Sequence, residues 1–189
     1  GLIFFIFLAI FNAIAYFAFN LIGPFFVLYI NEKGGGIENL GLLFGISLLA
    51  SSITTYFVGR ISDKLGRKPF LLLSSFLGSI IIILYLYIQN LTQLYILQIA
   101  NGINTAMWVV SENIFMADIT QRKTRGRELG FYNMFLGVIS AIAIMFSGFA
   151  IGEFGFKLIF WLAGTASFIS VIILIFLKEA RKMMILFFI

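Results

Sequence analysis

The sequence predicts an all-α membrane protein of six transmembrane helices, arranged as two inverted three-helix repeats. Three observations carry this expectation. The chain is 61% hydrophobic and only 11% charged, with 24 Phe among 189 residues, and its mean hydropathy is +1.08, a composition of membrane proteins rather than soluble cores. Its apolar residues fall into runs of about 18 or more, the length that crosses a hydrocarbon core of ~30 Å at ~1.5 Å per residue. Short polar loops separate the runs, and the basic residues collect in alternate loops. Run length also favours helices over a barrel, whose strands would be ~9–11 residues of alternating polarity.

The first run extends from about Leu2 to Ile30. It is over-long, so it must tilt or bend, and Gly23-Pro24 is the expected bend because proline removes a backbone donor. It is no signal peptide, since it exceeds the ~7–15-residue apolar region of such peptides and no basic segment precedes it. An opening Gly in place of Met is expected of a piece of a longer protein. The second run covers about Leu40 to Val58, and the third about Pro69 to Ile88. Pro69 suits the first turn of a helix, where its missing N–H costs nothing. The fourth covers about Leu91 to Ile119, the fifth about Leu129 to Ile151 and the sixth about Phe156 to Leu177. Residues 178–189 are expected to begin a cytoplasmic linker, lying outside a single bundle built from repeat units of about 1–88 and 89–178.

Loop charge predicts the orientation. Arg60, Lys64, Arg67 and Lys68 follow the second run, Arg122, Lys123, Arg125 and Arg127 the fourth, and Lys178, Arg181 and Lys182 the sixth; the opposite side has Lys33 and Lys157. Such an excess in short loops places both termini in the cytoplasm, and the plasma membrane is the expected location. The same placement accounts for the net charge of +5 without nucleic acid. Cys and His are both absent, so disulfides, thiol chemistry and the usual zinc ligands are excluded. Neither cofactor nor metal is expected.

A repeat is visible at an offset of 89 residues. Gly59, Gly66 and Lys68 recur as Gly148, Gly155 and Lys157, Leu40-Gly41 as Leu129-Gly130, Ser51 as Ser140, and Asn12 as Asn101. Because each unit holds three spans, the second must be inverted relative to the first. Gly41 with Gly45, and Gly148 with Gly152, are candidate small faces for close helix packing; glycine is also simply frequent in membrane helices.

Between the second and third runs lies Gly59-Arg60-Ile61-Ser62-Asp63-Lys64-Leu65-Gly66-Arg67-Lys68-Pro69, with five charges in nine positions. Those charges cannot sit in lipid and mark a tight polar turn. The pattern of Gly59, Asp63, Lys64, Gly66, Arg67 and Lys68 resembles the signature loop between helices 2 and 3 of the major facilitator superfamily. Further resemblance lies in Ala117-Asp118, in Arg125-Gly126-Arg127 with Gly130, and in Gly155-Phe156-Lys157-Leu158-Ile159-Phe160. The chain thus resembles the N-terminal half of that family's usual twelve-helix protein. The resemblance implies that Asp63 caps a helix of the other half, and that Arg67 bridges Asp63 and Asp118 in a charge latch at a cytoplasmic gate. A plain turn shaped by Asp63 and Arg67 is the alternative. Two departures stand out. Gln98 occupies a position before Gly102 where many members carry arginine, and Ala143-Ile144-Met145-Phe146-Ser147-Gly148 lacks the proline of drug–proton antiporters.

Polar residues inside the runs form stripes. Asn12, Tyr16 and Asn20 share one face of the first helix, and Gln98, Asn101, Thr105, Trp108 and Glu112 share one face of the fourth. Polar groups at membrane depth face a bundle interior or a watery cavity, so the stripes are either two walls of a substrate cavity or hydrogen-bonding contacts between helices. Glu112 is the ionisable side chain well inside a span, ~9 Å from the cytoplasmic end of its helix. It is a candidate for proton coupling, or else a partner of a basic residue nearby.

These features predict a secondary transporter that moves a small solute by alternating access. Its expected partners are the lipid bilayer, the solute and a second six-helix half. The alternative is a non-transporting membrane scaffold or sensor with the same fold; a dry, aromatic interior would favour it. An enzyme is not expected, since no nucleophile–base pair or carboxylate cluster for a metal is present.

Overall fold

A computed structural model of the chain describes the backbone of residues 2–66, 68–120 and 123–187, with side chains for 9–66, 69–113, 116, 120 and 123–175. Among the described residues all regular structure is helical. The first apolar run becomes α1 (Leu2–Ile22) and α2 (Phe26–Glu32), separated by one 3-10 turn at Gly23–Phe25. The bend thus falls at the Gly-Pro pair, as proline chemistry requires. The remaining helices are α3 (Ile37–Leu65), α4 (Lys68–Leu84, followed by a 3-10 turn at Tyr85–Tyr87), α5 (Leu91–Ile119), α6 (Arg125–Phe154) and α7 (Phe156–Phe187). Pro69 sits in the first turn of α4.

Several helices outrun their apolar cores. α3 continues from Val58 through Gly59–Leu65, so most of the charged segment is its last two turns and not a tight turn. Arg, Lys and Asp are compatible with a helix whose end leaves the hydrocarbon, and Arg60, Asp63 and Lys64 are all exposed there. The chain reverses only at Gly66, whose φ of 80° is open to glycine alone at little cost. Gly155, 89 residues later, ends α6 at φ 74°. Both glycines donate N–H to the carbonyl four residues back, Ser62 and Ile151, at 2.9 Å.

Among the described residues five helical stretches are long and apolar enough to cross a membrane: Ala9–Glu32, Ile37–Leu65, Pro69–Tyr87, Arg125–Phe154 and Phe156–Ile175. α5 equals α3 in length at 29 residues but falls short of that apolarity, because Gln93, Gln98, Asn101 and Asn104 interrupt it.

The main packing partners are α3 with α5, α1 with both α6 and α7, and α4 with both α5 and α7, and α6 also touches α7. At the end of the bundle bearing the Gly34–Gly36 loop, a cluster of rings fills the interior. Tyr29 meets Phe160 at 5.0 Å between centroids, and Tyr85 meets Phe160 at 5.5 Å and Phe26 at 5.6 Å. The Tyr29 hydroxyl donates to the Tyr85 carbonyl at 2.5 Å, at the 3-10 end of α4. Aromatic rings fill this end of the interior. A second apolar cluster, with Phe11, Ala13, Leu71, Met116, Tyr132 and Leu136, lies toward the other end.

Close helix approach rests on different glycines from those the spacing suggested. Nothing lies within 4 Å of a Cβ built on Gly41, Gly45 or Gly152, so the pair on α3 faces open space within this chain. A Cβ on Gly102 would overlap the Ser47 carbonyl of α3, and one on Gly164 would press the Ile83 side chain of α4 at 2.7 Å. Gly148 does contribute, since its Cβ position lies 3.2 Å from the Phe25 ring. Spacing alone cannot tell which side of a helix meets a neighbour.

Candidate functional site

Glu112 lies on α5, seven residues before its end, and is 8% exposed. Its carboxylate gathers donors from three helices. Tyr16 of α1 donates its hydroxyl to Oε2 at 3.2 Å, and Trp108, one turn earlier on α5, donates Nε1–H to the same oxygen at 3.0 Å. Tyr132 of α6 donates to Oε1 at 2.8 Å. All three donors are neutral, and among the described residues no arginine or lysine bonds to it. Phe11 of α1 packs on the Trp108 ring at 5.4 Å between centroids.

Asn12 is 1% exposed and approaches the Tyr132 hydroxyl. Its Oδ1 is buried with no hydrogen-bond partner. Asn20 donates to the Tyr16 carbonyl at 2.8 Å and to the Ser140 hydroxyl of α6 at 3.0 Å. The first-helix stripe therefore turns onto α6, with Tyr16 reaching α5. Along α6 the Ser147 hydroxyl also donates to the Leu21 carbonyl, beside the Gly-Pro bend.

The α5 stripe divides. Gln98 and Glu112 are buried, Asn101 and Trp108 half-buried, and Thr105 exposed, its hydroxyl bonded back to the Asn101 carbonyl at 2.8 Å. Of the eight stripe residues expected to act together, the structure brings Asn12, Tyr16, Trp108 and Glu112 into one constellation.

Tyr132 was absent from the sequence expectations, although its signal was there. Tyr132, Ser140 and Ser147 are spaced by 8 and 7 residues on α6, which repeats one helical face. The apolar residues between them hide the stripe.

The charged segment is only partly described. Gly59, Asp63, Lys64 and Gly66 close α3, with Asp63 and Lys64 exposed, while Arg60 lies over the Tyr56 ring at 5.8 Å. Arg67 and the side chains of Lys68 and Asp118 lie outside the described residues, and so does the expected Asp63–Arg67–Asp118 latch. Among the described residues no group of three or more His, Cys, Asp or Glu could hold a metal ion.

Chemically, a buried carboxyl ringed by neutral donors can exist with or without a proton, because hydroxyls can reverse their bonds.

The family model described as Major Facilitator Superfamily matches residues 8–184. The chain is 32% identical over 156 residues to an uncharacterized MFS-type transporter, YitZ, of Bacillus subtilis (strain 168), covering 82% of this chain and 94% of that protein. It is 30% identical over 171 residues to the multidrug resistance protein MdtG of Dickeya zeae (strain Ech586), covering 87% of this chain but 41% of that protein. Against the class H tetracycline resistance protein of Pasteurella multocida it is 30% identical over 167 residues, covering 86% of this chain and 41% of that protein. The chain thus spans nearly the whole of one relative and about two-fifths of the others.

Proposed function

The chain belongs to the Major Facilitator Superfamily, and from that premise we propose that it is the six-helix N-terminal bundle of a secondary transporter. It moves a small organic solute by alternating access, rocking against a second six-helix half, and performs no enzymatic step. The chain is an integral membrane protein; the excess of basic residues after the second, fourth and sixth runs supports cytoplasmic termini in a plasma membrane.

Three features support the sixth span and the inverted repeat. α5 packs between α3 and α4, both of spanning length, so its amide-rich face has protein to turn toward. Exchanging the first three spans for the last three maps α3–α5 onto α6–α1 and α4–α5 onto α7–α1, and leaves α4–α7 in place. Gly66 and Gly155 share one backbone geometry at the repeat offset.

The observation that carries the transport reading is the buried Glu112 with donors from α1, α5 and α6. A carboxyl held between helices of both repeats can take and release a proton as the half changes its tilt. In this cycle Glu112 is the coupling group, with Asn12, Tyr16, Trp108 and the more open Asn101 and Thr105 along the solute path. Gln98 and Asn20 hold the walls. The names of relatives direct the first substrate test toward drugs, tetracycline among them. In an efflux-deficient bacterial host, this bundle expressed together with its second six-helix half should lower tetracycline accumulation, and a protonophore should restore it. Unchanged accumulation of tetracycline and of a panel of other drugs, with the protein present in the membrane, would count against drug export.

A further inference from the structure

Polar residues are distributed unevenly around the bundle. α4 and α7 pack on each other and keep Ser74, Ser79, Ser167 and Ser170 buried, with Ser79 donating to Ser167 at 2.7 Å. Their exposed residues at span depth are mainly apolar, Leu73, Phe76, Ile169 and Ile172 among them. The exposed Thr165 bonds to carbonyls of its own helix. α3 and α6 do the opposite. Ser52 and Thr55 of α3 and Asn133 of α6 are exposed within stretches of spanning length. Lipid offers such groups no partner, so polar side chains at that depth turn toward protein or water.

Each of these two helices is also sided. On α3, Gly41, Gly45, Leu48, Ser52 and Thr55 recur at spacings of three and four, on the face opposite the Ser47 and Ala50 that meet Gly102 of α5. On α6, Gly126, Gly130, Asn133, Gly137 and Ala141 share one face, while Phe131, Phe135, Ile142 and Phe149 line another. Nothing lies within 4 Å of a Cβ on Gly41, Gly45, Gly126, Gly130 or Gly137, so this chain leaves both faces open there. α3 flanks α5, α6 flanks α1, and α5 meets α1 through Glu112 with Tyr16 and through Trp108 with Phe11. The two open helices therefore stand on either side of the α1–α5 contact, with α4 and α7 behind it.

We propose that the body covering this side is a second copy of the chain; the inference rests on the reading of the chain as one six-helix half. Length, symmetry and charge argue for it. The chain covers 94% of YitZ but 41% of MdtG. A single-bundle length therefore occurs among its relatives, and on that reading such a chain takes its second bundle from another molecule. Six spans is an even number, so two copies insert with their basic ends on the same side. They can then pair about a two-fold axis along the membrane normal, through the same face of each. That axis sets α3 of one copy against α6 of the other, twice. Asp63, three turns beyond Ser52 on the same face of α3, is exposed, as are Lys123 and Arg127 around the start of α6. Arg60 and Lys64 fall on other sides of α3. Opposite signs thus approach at the cytoplasmic rim, where an exposed pair orients the copies more than it holds them.

The chain has no Cys, so single cysteines report contacts between differently tagged copies in native membranes. Ser52→Cys in one copy and Ala141→Cys in the other lie at similar distances from the outer ends of α3 and α6. They should form a disulfide that joins the two tags. Ser52→Cys paired with itself should not, because the axis carries like helices apart. Nor should Phe76→Cys on α4 with Ile169→Cys on α7. In nanodiscs formed directly from the membrane, native mass spectrometry should read twice the 21.2 kDa of one chain. Gly137→Trp and Ser52→Trp should each return the single mass while circular dichroism shows helicity retained. Two variants at open positions guard against one failing to fold. A single mass for the unaltered chain, a back-face disulfide as abundant as the α3–α6 one, or a dimer unmoved by both folded Trp variants would overturn the proposal. A complex formed only with a different chain would overturn it too, and would leave the transport reading standing. A two-copy assembly cross-linked as described, yet moving no tested solute, would sink the transport reading alone.

Discussion

Glu112→Gln and Glu112→Leu remove the same charge from the same place, yet the bonds around it should make their stabilities diverge. In the glutamine variant the amide oxygen replaces Oε2 and keeps Tyr16 and Trp108. Its N–H donates to the Tyr132 hydroxyl, which turns to accept. All three partners remain bonded, so the expected loss of stability is ~1 kcal/mol or less. Leucine leaves the Tyr132 hydroxyl, in a residue 4% exposed, and the half-buried Tyr16 and Trp108 without their acceptor. A stranded buried donor costs ~1–3 kcal/mol, less where water can reach it. Removing a buried charge returns part of that cost. The expected net loss for leucine is ~2–3 kcal/mol, measured by denaturant unfolding of the purified protein. In proteoliposomes holding the bundle with its second half, both variants should lose accumulation driven by a pH gradient, while the glutamine variant keeps downhill exchange. A leucine variant as stable as the wild type would refute the hydrogen-bond argument. A glutamine variant that accumulates solute with unchanged pH dependence would remove Glu112 from the coupling step.

Packing predicts a second contrast: Gly102→Val should destabilise the α3–α5 contact by ~1–3 kcal/mol through overpacking, whereas Gly41→Ala and Gly45→Ala should leave thermal unfolding unchanged, since nothing lies within 4 Å of either. Equal effects at Gly102 and Gly41 would contradict this helix pairing. For topology, cysteines at Lys64 and Arg125 should be labelled only from the cytoplasm and one at Glu38 only from outside; Glu38 is exposed, while a Cβ at Gly35 would press the Ile30 side chain at 2.6 Å. Labelling of positions 38 and 64 from one side would end the six-span topology. Asp63→Asn should slow transport while leaving insertion intact, because a charge at a helix end biases two gate states by ~1–2 kcal/mol without contributing to spanning. Wild-type rates in that variant would reduce the charged segment to a helix end.

The helices themselves were legible in the sequence because apolar run length is a local property, although α5 falls short of spanning apolarity among the described residues. Run length and polarity placed α5 at Leu91–Ile119 and located the bend at Gly23-Pro24. Gly66 and Gly155 were legible too, since a positive φ selects glycine whatever lies around it. Helix ends were not, because Gly59–Leu65 is charged yet helix-compatible, and only the boundary of the hydrocarbon separates the span from its overhang.

What the sequence by itself determined is the inventory: apolar helices, basic residues gathered in alternate loops, and one carboxyl on a polar stripe. Periodicity relates residues within a helix, so it could put Glu112 with Trp108, and Asn12 with Tyr16. It cannot set the rotation of one helix against another. That rotation decided that Tyr16 and Tyr132, 96 and 20 residues from Glu112, both reach its carboxylate. It also decided that Gly102 rather than Gly41 takes the close approach, and that the Asn12 Oδ1 is buried without a partner. Packing in the bundle fixes those angles through side chains drawn from every helix at once, and no single stretch of sequence contains them.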